Sequence, residues 1–127
     1  MNVKMIKKES YTIDEVLSNV IPYDAKIGKH FVDFDGDLMR MESQRYKLFK
    51  RVGCTCISCG IHGSFFRKER HKHDIMFHFN LYAIDNNGNE ILMTKDHIIP
   101  KSKGGKNNLS NYQVMCVICN NNKGNQL

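Results

Sequence analysis

Asp96 and His97 stand side by side at the end of an apolar run, Glu90-Ile91-Leu92-Met93-Thr94, and chemistry is first conceivable there. An imidazole can take up a proton near neutral pH, and a carboxylate can hold a hard divalent cation. Further on, Asn111 lies in a polar loop, and Asn120 directly follows the pair Cys116-Val117-Ile118-Cys119. The Asn120 amide oxygen has the same hard character as the Asp96 carboxylate. A second pair, Cys56-Ile57-Ser58-Cys59, comes well upstream and is followed by Gly60, which lets a tight turn aim backbone amides at sulfur. One Cys-x-x-Cys could be redox-active. Two supply the four thiolates of a tetrahedral structural zinc site and leave no open position for catalysis. Of the five cysteines, Cys54 is then a spare thiol.

Metal-assisted hydrolysis needs a water made nucleophilic, a negative transition state stabilised, and a leaving group helped away. His97 fits the first role, and Asp96 with Asn120 fits the second by holding Mg2+ or Mn2+. The motifs Asp96-His97-Ile98-Ile99-Pro100, Ser102-Lys103-Gly104-Gly105, Asn111-Tyr112-Gln113 and Cys116-Val117-Ile118-Cys119-Asn120-Asn121-Asn122-Lys123-Gly124, in that order, resemble the HNH endonuclease family. In that family a ββα-metal hairpin cuts DNA. The resemblance covers roughly residues 53–124. It implies that Asp96 and Asn120 hold one catalytic divalent ion at the scissile phosphate, that His97 is the general base, and that Asn111 steadies the loop bearing it. It also implies 3′-hydroxyl and 5′-phosphate ends. Many members carry His at the third letter; Asn120 here weakens nitrogen ligation and leaves Mg2+, Mn2+ and Ni2+ as candidate ions.

The elements that must position these residues are partly visible. Asp85-Asn86-Asn87-Gly88-Asn89 has Asn-Gly at the heart of a hairpin turn between an apolar stretch over 74–83 and a return strand ending at Asp96 and His97. Lys101 to Asn108 is a polar loop carrying Lys101, Lys103 and Lys106, with Leu109 as its anchor, followed by a strand over Gln113–Met115. A last helix over Val117–Lys123 contains three consecutive Asn, so its formation depends on zinc rather than on propensity. This is an α+β, zinc-stapled ββα-metal (HNH) domain over 53–127, with an accessory segment over 1–52. The accessory segment reads as a short helix with a Thr12/Glu15 capping box, stopped before Pro22, then a hairpin around Asp35-Gly36-Asp37 within 26–41, then a basic amphipathic helix over 40–52. Asp33, Asp35 and Asp37 lack the terminal Glu of a calcium loop, since position 44 is Gln44.

Composition agrees with a nucleic-acid partner. The 127 residues carry 19 Lys+Arg against 13 Asp+Glu, a formal net charge of +6, which suits a phosphate backbone. Between the cysteine pairs, Phe65-Phe66-Arg67-Lys68-Glu69-Arg70-His71-Lys72-His73 is densely basic. Arg67, Lys68 and Arg70, with Lys101, Lys103, Lys106 and Lys123, are therefore the expected DNA contacts. His71, His73 and His78 are given no metal site. No stretch is long and apolar enough for a membrane helix or secretory signal, so a cytoplasmic protein is expected, in the host cytoplasm if phage-encoded. The family's habits point to a phage or mobile-element origin. A homodimer or a larger phage protein is an expected partner, since one such site cuts one strand per encounter. The reading outside the enzyme class is a zinc-dependent nucleic-acid-binding module that does not cut.

Overall fold

The computed structural model describes residues 5–21 and 28–124. Pro22, the expected helix stop, and Lys26, where the hairpin segment was expected to begin, lie outside them. The elements run β1 (Met5–Tyr11), α1 (Ile13–Leu17), β2 (Phe31–Phe34), β3 (Asp37–Arg40), α2 (Gln44–Val52), β4 (Gly63–His71), β5 (His78–Ile84), β6 (Glu90–His97), β7 (Tyr112–Cys116) and α3 (Val117–Lys123). All pairings are antiparallel, in one sheet of order β1-β4-β5-β6-β7 and a separate β2-β3 hairpin. The fold is α+β.

Local chemistry explains most of these boundaries. Thr12 caps α1 with a full capping box, its hydroxyl accepting from Glu15 N–H while the Glu15 carboxylate accepts from Thr12 N–H. Asp35 and Gly36, with φ of 54° and 94°, make the two-residue turn between β2 and β3. The Asp85 carboxylate accepts from the N–H groups of Asn87 and Asn89 and closes the β5–β6 turn.

The β5–β6 pairing is short, from Ile84↔Glu90 to Tyr82↔Leu92. Beyond Leu92, β6 pairs instead with β7, from Met93↔Cys116 to His97↔Tyr112. Two side chains of α2 serve the β5 edge that β6 has left. The Phe79 N–H donates to the Tyr46 hydroxyl at 2.8 Å, and Arg45 Nη2 donates to the Phe79 carbonyl at 2.5 Å. Phe79 is also the hub of the core, with Tyr11, Phe34, Tyr46 and Phe66 all edge-on to its ring at 4.8–6.2 Å. Residues on both sides of position 52 share this cluster, and β1 is an edge of the same sheet that carries β6 and β7. The accessory segment thus forms part of the platform on which the C-terminal hairpin stands.

The basic run over 65–73 corrects an expectation. Residues 65–71 of it lie in β4, and Lys68, one of the expected DNA contacts, is fully buried there. The Lys68 ammonium donates to the Phe34 carbonyl at 2.6 Å and pairs with Asp37 at 2.8 Å and Glu9 at 3.1 Å. Burial works against its charge, but these carboxylates hold its pKa above the usual lysine range. Lys68 therefore ties β1, β3 and the end of β2 together and does not reach DNA. Arg67 lies against the stacked rings of Phe65 and Tyr82, about 5 Å from each centroid, and forks onto Glu90 at 2.6 and 2.7 Å. Arg70 donates to the carbonyls of His71, Lys72 and Asp74. Alternation alone cannot reveal this, because the carboxylates that claim Arg67 and Lys68 lie far away in sequence.

Replacing Lys68 by Ala should lower stability rather than DNA affinity. Breaking a buried ion pair costs about 3–5 kcal/mol, and the low end applies here because Glu9 and Asp37 can rehydrate. A denaturant titration checks this, and an unchanged midpoint with weakened DNA binding would restore the phosphate role.

Candidate metal centre and catalytic cleft

The two cysteine pairs meet at one point. The Sγ atoms of Cys56, Cys59, Cys116 and Cys119 all lie within 4.8 Å of one another, and Cys59 and Cys116 are 3.8 Å apart. A tetrahedral ion with Zn–S bonds of about 2.3 Å requires S···S separations of about 3.8 Å. Each pair is a knuckle in which the second cysteine's N–H points at the first one's sulfur, at 3.5 Å for Cys59 on Cys56 and 3.4 Å for Cys119 on Cys116. The first knuckle is fastened to β7 by Ile57 N–H on the Val114 carbonyl.

The thiols' acidities show what the cluster needs. Burial disfavours the Cys56 thiolate, but the N–H groups of Cys59, Cys116 and Ser58 outweigh it and bring its pKa down to about 6. Ser58 lowers Cys119, yet the neighbouring Cys116, Cys59 and Cys56 thiols and burial together push it up to about 12. Crowded sulfurs of this kind ionise together only around a cation, and the donor set fits zinc. Cys54 is outside the cluster, and burial raises its thiol to about 11, as befits an unreactive cysteine.

The β6–β7 hairpin has two faces, and they divide the other candidate residues. Thr94, Asp96, Gln113 and Met115 face α3; Met93, Lys95, His97, Tyr112 and Val114 share the opposite face. On the α3 side, Asp96 is buried at 7 % exposure, and its Oδ2 accepts from Lys123 at 3.0 Å and Gln113 at 2.9 Å. Asn120 and Lys123 are three residues apart on α3, hence on one side of it. The Asn120 amide donates to the Thr94 hydroxyl at 2.9 Å, which in turn donates to the Met115 carbonyl. Lys123, expected as a phosphate contact, also donates to the His97 carbonyl at 2.8 Å, so it braces the Asp96-His97 corner. Asp96, His97, Pro100, Lys101, Ser102 and Lys123 line an open cleft of about 230 Å³.

Residues 85–127 match the HNH endonuclease family. The match spans the β6–β7–α3 unit and the cleft, while the first cysteine pair, Cys56 and Cys59, precedes it. No curated protein and no solved structure matches the chain. Among the described residues no helix is long and apolar enough to cross a membrane.

Within the matched segment, the His97 ring packs edge-on to Tyr112 at 5.1 Å, and its Nε2 lies 2.8 Å from Asn107 Oδ1. Asn111 binds the other side of the same loop. Its Oδ1 accepts from Ile99 N–H, its Nδ2 donates to the Ile99 and Lys106 carbonyls, and its own carbonyl accepts from Ile98 N–H. Gly105 is held so close that a Cβ there would overlap the Ile99 carbonyl. Asn107, Tyr112 and Gln113 as supports of His97 and Asp96 were not singled out from the sequence. Tyr112 and Gln113 lie in the Asn111-Tyr112-Gln113 motif, but Asn107 carries no signal beyond being one more Asn in a polar loop. Lys101, Lys103 and Lys106 are exposed, with no ion pair among the described residues.

Proposed function

We propose that this protein is a DNA endonuclease that hydrolyses phosphodiester bonds with one divalent ion and His97 as general base. The observation that carries the reading is the corner where β6 ends. Asp96 on one face and His97 on the other open into a single cleft inside the segment that matches the HNH family.

With Asn107 Oδ1 accepting from Nε2–H, the His97 lone pair falls on Nδ1, and the imidazole can take the proton of an attacking water there. The Tyr112 ring edge and the Asn107 amide restrict the imidazole's rotation, so little ordering remains at the moment of proton transfer. Asn111 keeps the loop after His97 at fixed depth through its four hydrogen bonds. Asp96 and the Asn120 amide oxygen are hard donors that fit Mg2+ or Mn2+, with Ni2+ a further candidate. Such an ion supplies Lewis-acid stabilisation of charge on the phosphate. Both contacts to Asp96 fall on Oδ2, which is consistent with Oδ1 as the metal-facing oxygen. Lys101, at the cleft, and the exposed Lys103 and Lys106 in the loop after it would hold flanking phosphates.

Incubating the purified protein with supercoiled plasmid in Mg2+ or Mn2+ should give nicked circles before linear DNA, because one cleft serves one strand per encounter. EDTA should stop the reaction. Salt-sensitive binding with no nicking in any divalent metal would instead establish a zinc-dependent binding module. The protein's cytoplasmic location, phage origin and pairing into a homodimer remain part of this reading.

A further inference from the structure

We propose that Lys95 and Arg45 form a phosphate-binding shelf for the DNA strand on the side of His97 away from the Lys101–Lys106 loop. The proposal rests on the nuclease reading above and extends it to where the substrate lies. Lys95 precedes His97 by two residues on β6, so both side chains leave the same face of the strand, one repeat of about 7 Å apart. Both are ordered by the same ring. The Lys95 ammonium sits 4.2 Å from the Tyr112 centroid, and the His97 imidazole packs edge-on to that ring at 5.1 Å.

Arg45 reaches this region from α2, which packs against β6 and β7. Its guanidinium is fixed by neutral acceptors only, Asn80 Oδ1 at 3.1 Å and the Phe79 carbonyl at 2.5 Å. Glu69 enters this network through the Asn80 amide, which donates to it at 2.8 Å, and makes no ion pair with Arg45. Among the described residues, no carboxylate pairs with Lys95 either.

Arg45 stands at Phe79 on the β5 edge that β6 leaves beyond Leu92, and Lys95 lies on β6 just past that divergence, so an anion entering there would meet two ordered cations that have no carboxylate within ion-pair distance among the described residues. A phosphodiester is the anion that a strand entering the His97 cleft would bring. The contrast with β4 is informative, because there the Arg67 and Lys68 side chains already have carboxylates. The strand would then run from the Lys101–Lys106 loop, past His97, to Lys95 and Arg45.

The test measures the affinity of a short fluorescent DNA duplex across a salt series, in EDTA to prevent cleavage, for His97→Ala and for His97→Ala/Lys95→Gln. Losing one phosphate contact should reduce the slope of log K against log salt by about 0.9 and weaken binding several-fold at about 0.1 M salt. Lys95→Arg in the same background should keep the slope. In the cleaving protein, Lys95→Gln should raise KM with kcat within about twofold. Amine acetylation of His97→Ala, with and without duplex, gives an answer independent of substitution, since bound DNA should protect Lys95. Equal slopes and affinities, or Lys95 acetylated equally in saturating duplex, would overturn the shelf while leaving the nuclease reading intact. Absence of both binding and nicking by the unaltered protein would overturn both.

Discussion

Cys119→Ser should leave the protein without zinc and melt the unit formed by α3 and the ends of β6 and β7. Structural zinc contributes on the order of 10 kcal/mol to the folding of small domains, as much as the whole net stability of many of them. Beyond the Asn120 and Lys123 contacts to β6, little else holds α3. It is seven residues long, has no fully buried residue, and three of its positions are Asn, which each cost helix stability relative to Ala. Its first turn is organised by the Cys116 sulfur accepting from Cys119 N–H. At about 3–6 °C per kcal/mol for a chain of this size, losing even a third of that contribution lowers Tm by at least about 10 °C. The aromatic cluster around Phe79 draws on β1, β2, α2, β4 and β5, so near-ultraviolet dichroism should outlast the loss of helix signal. Zinc content and thermal melts check the expectation, with Cys54→Ser as the control that keeps both. A metal-free Cys119→Ser protein with unchanged Tm would refute the zinc staple.

The C-terminal third was legible because its determinants are local. The Asn87-Gly88 turn, the return strand, the two knuckles and α3 each follow from residues a few positions apart, and the structure places α3 over the residues expected, Val117–Lys123. The meeting of the two knuckles was legible too, since tetrahedral sulfur coordination forces distant pairs together. What could not be read depends on pairings remote in sequence. The seven residues of β1 include three charged ones and no alternating apolar pattern, yet they form an edge strand because β4 offers them hydrogen bonds. β4 itself is disguised by the buried Lys68, whose neutralising carboxylates lie on β1 and β3. The same difficulty hid the supports of the cleft. Nothing in the order of residues says that Lys123 will turn back to Asp96, or that Asn107 will meet His97 across the loop.

Those two supports make the catalytic expectation sharper than loss of activity alone. His97→Ala should reduce nicking by roughly 10²–10⁴-fold, the usual worth of a positioned general base, while zinc content, Tm and duplex affinity stay near those of the unaltered protein. Asn107→Ala removes only the partner that orients the imidazole, so a smaller, roughly tenfold fall in kcat is expected with KM unchanged. Asp96→Ala acts differently. It would remove the proposed metal donor and strand the Lys123 ammonium, so activity should fall but recover in part as Mg2+ or Mn2+ is raised. His97→Ala should not recover, because extra metal does not replace a proton acceptor. Asn120→His exchanges an amide oxygen for an imidazole nitrogen and should shift preference from Mg2+ towards Ni2+. Nicking rates of the four proteins across a metal series separate the roles. If His97→Ala nicks at the unaltered rate, or if metal restores it as fully as it restores Asp96→Ala, the assignment of base and ligand to adjacent residues on opposite faces of β6 is wrong.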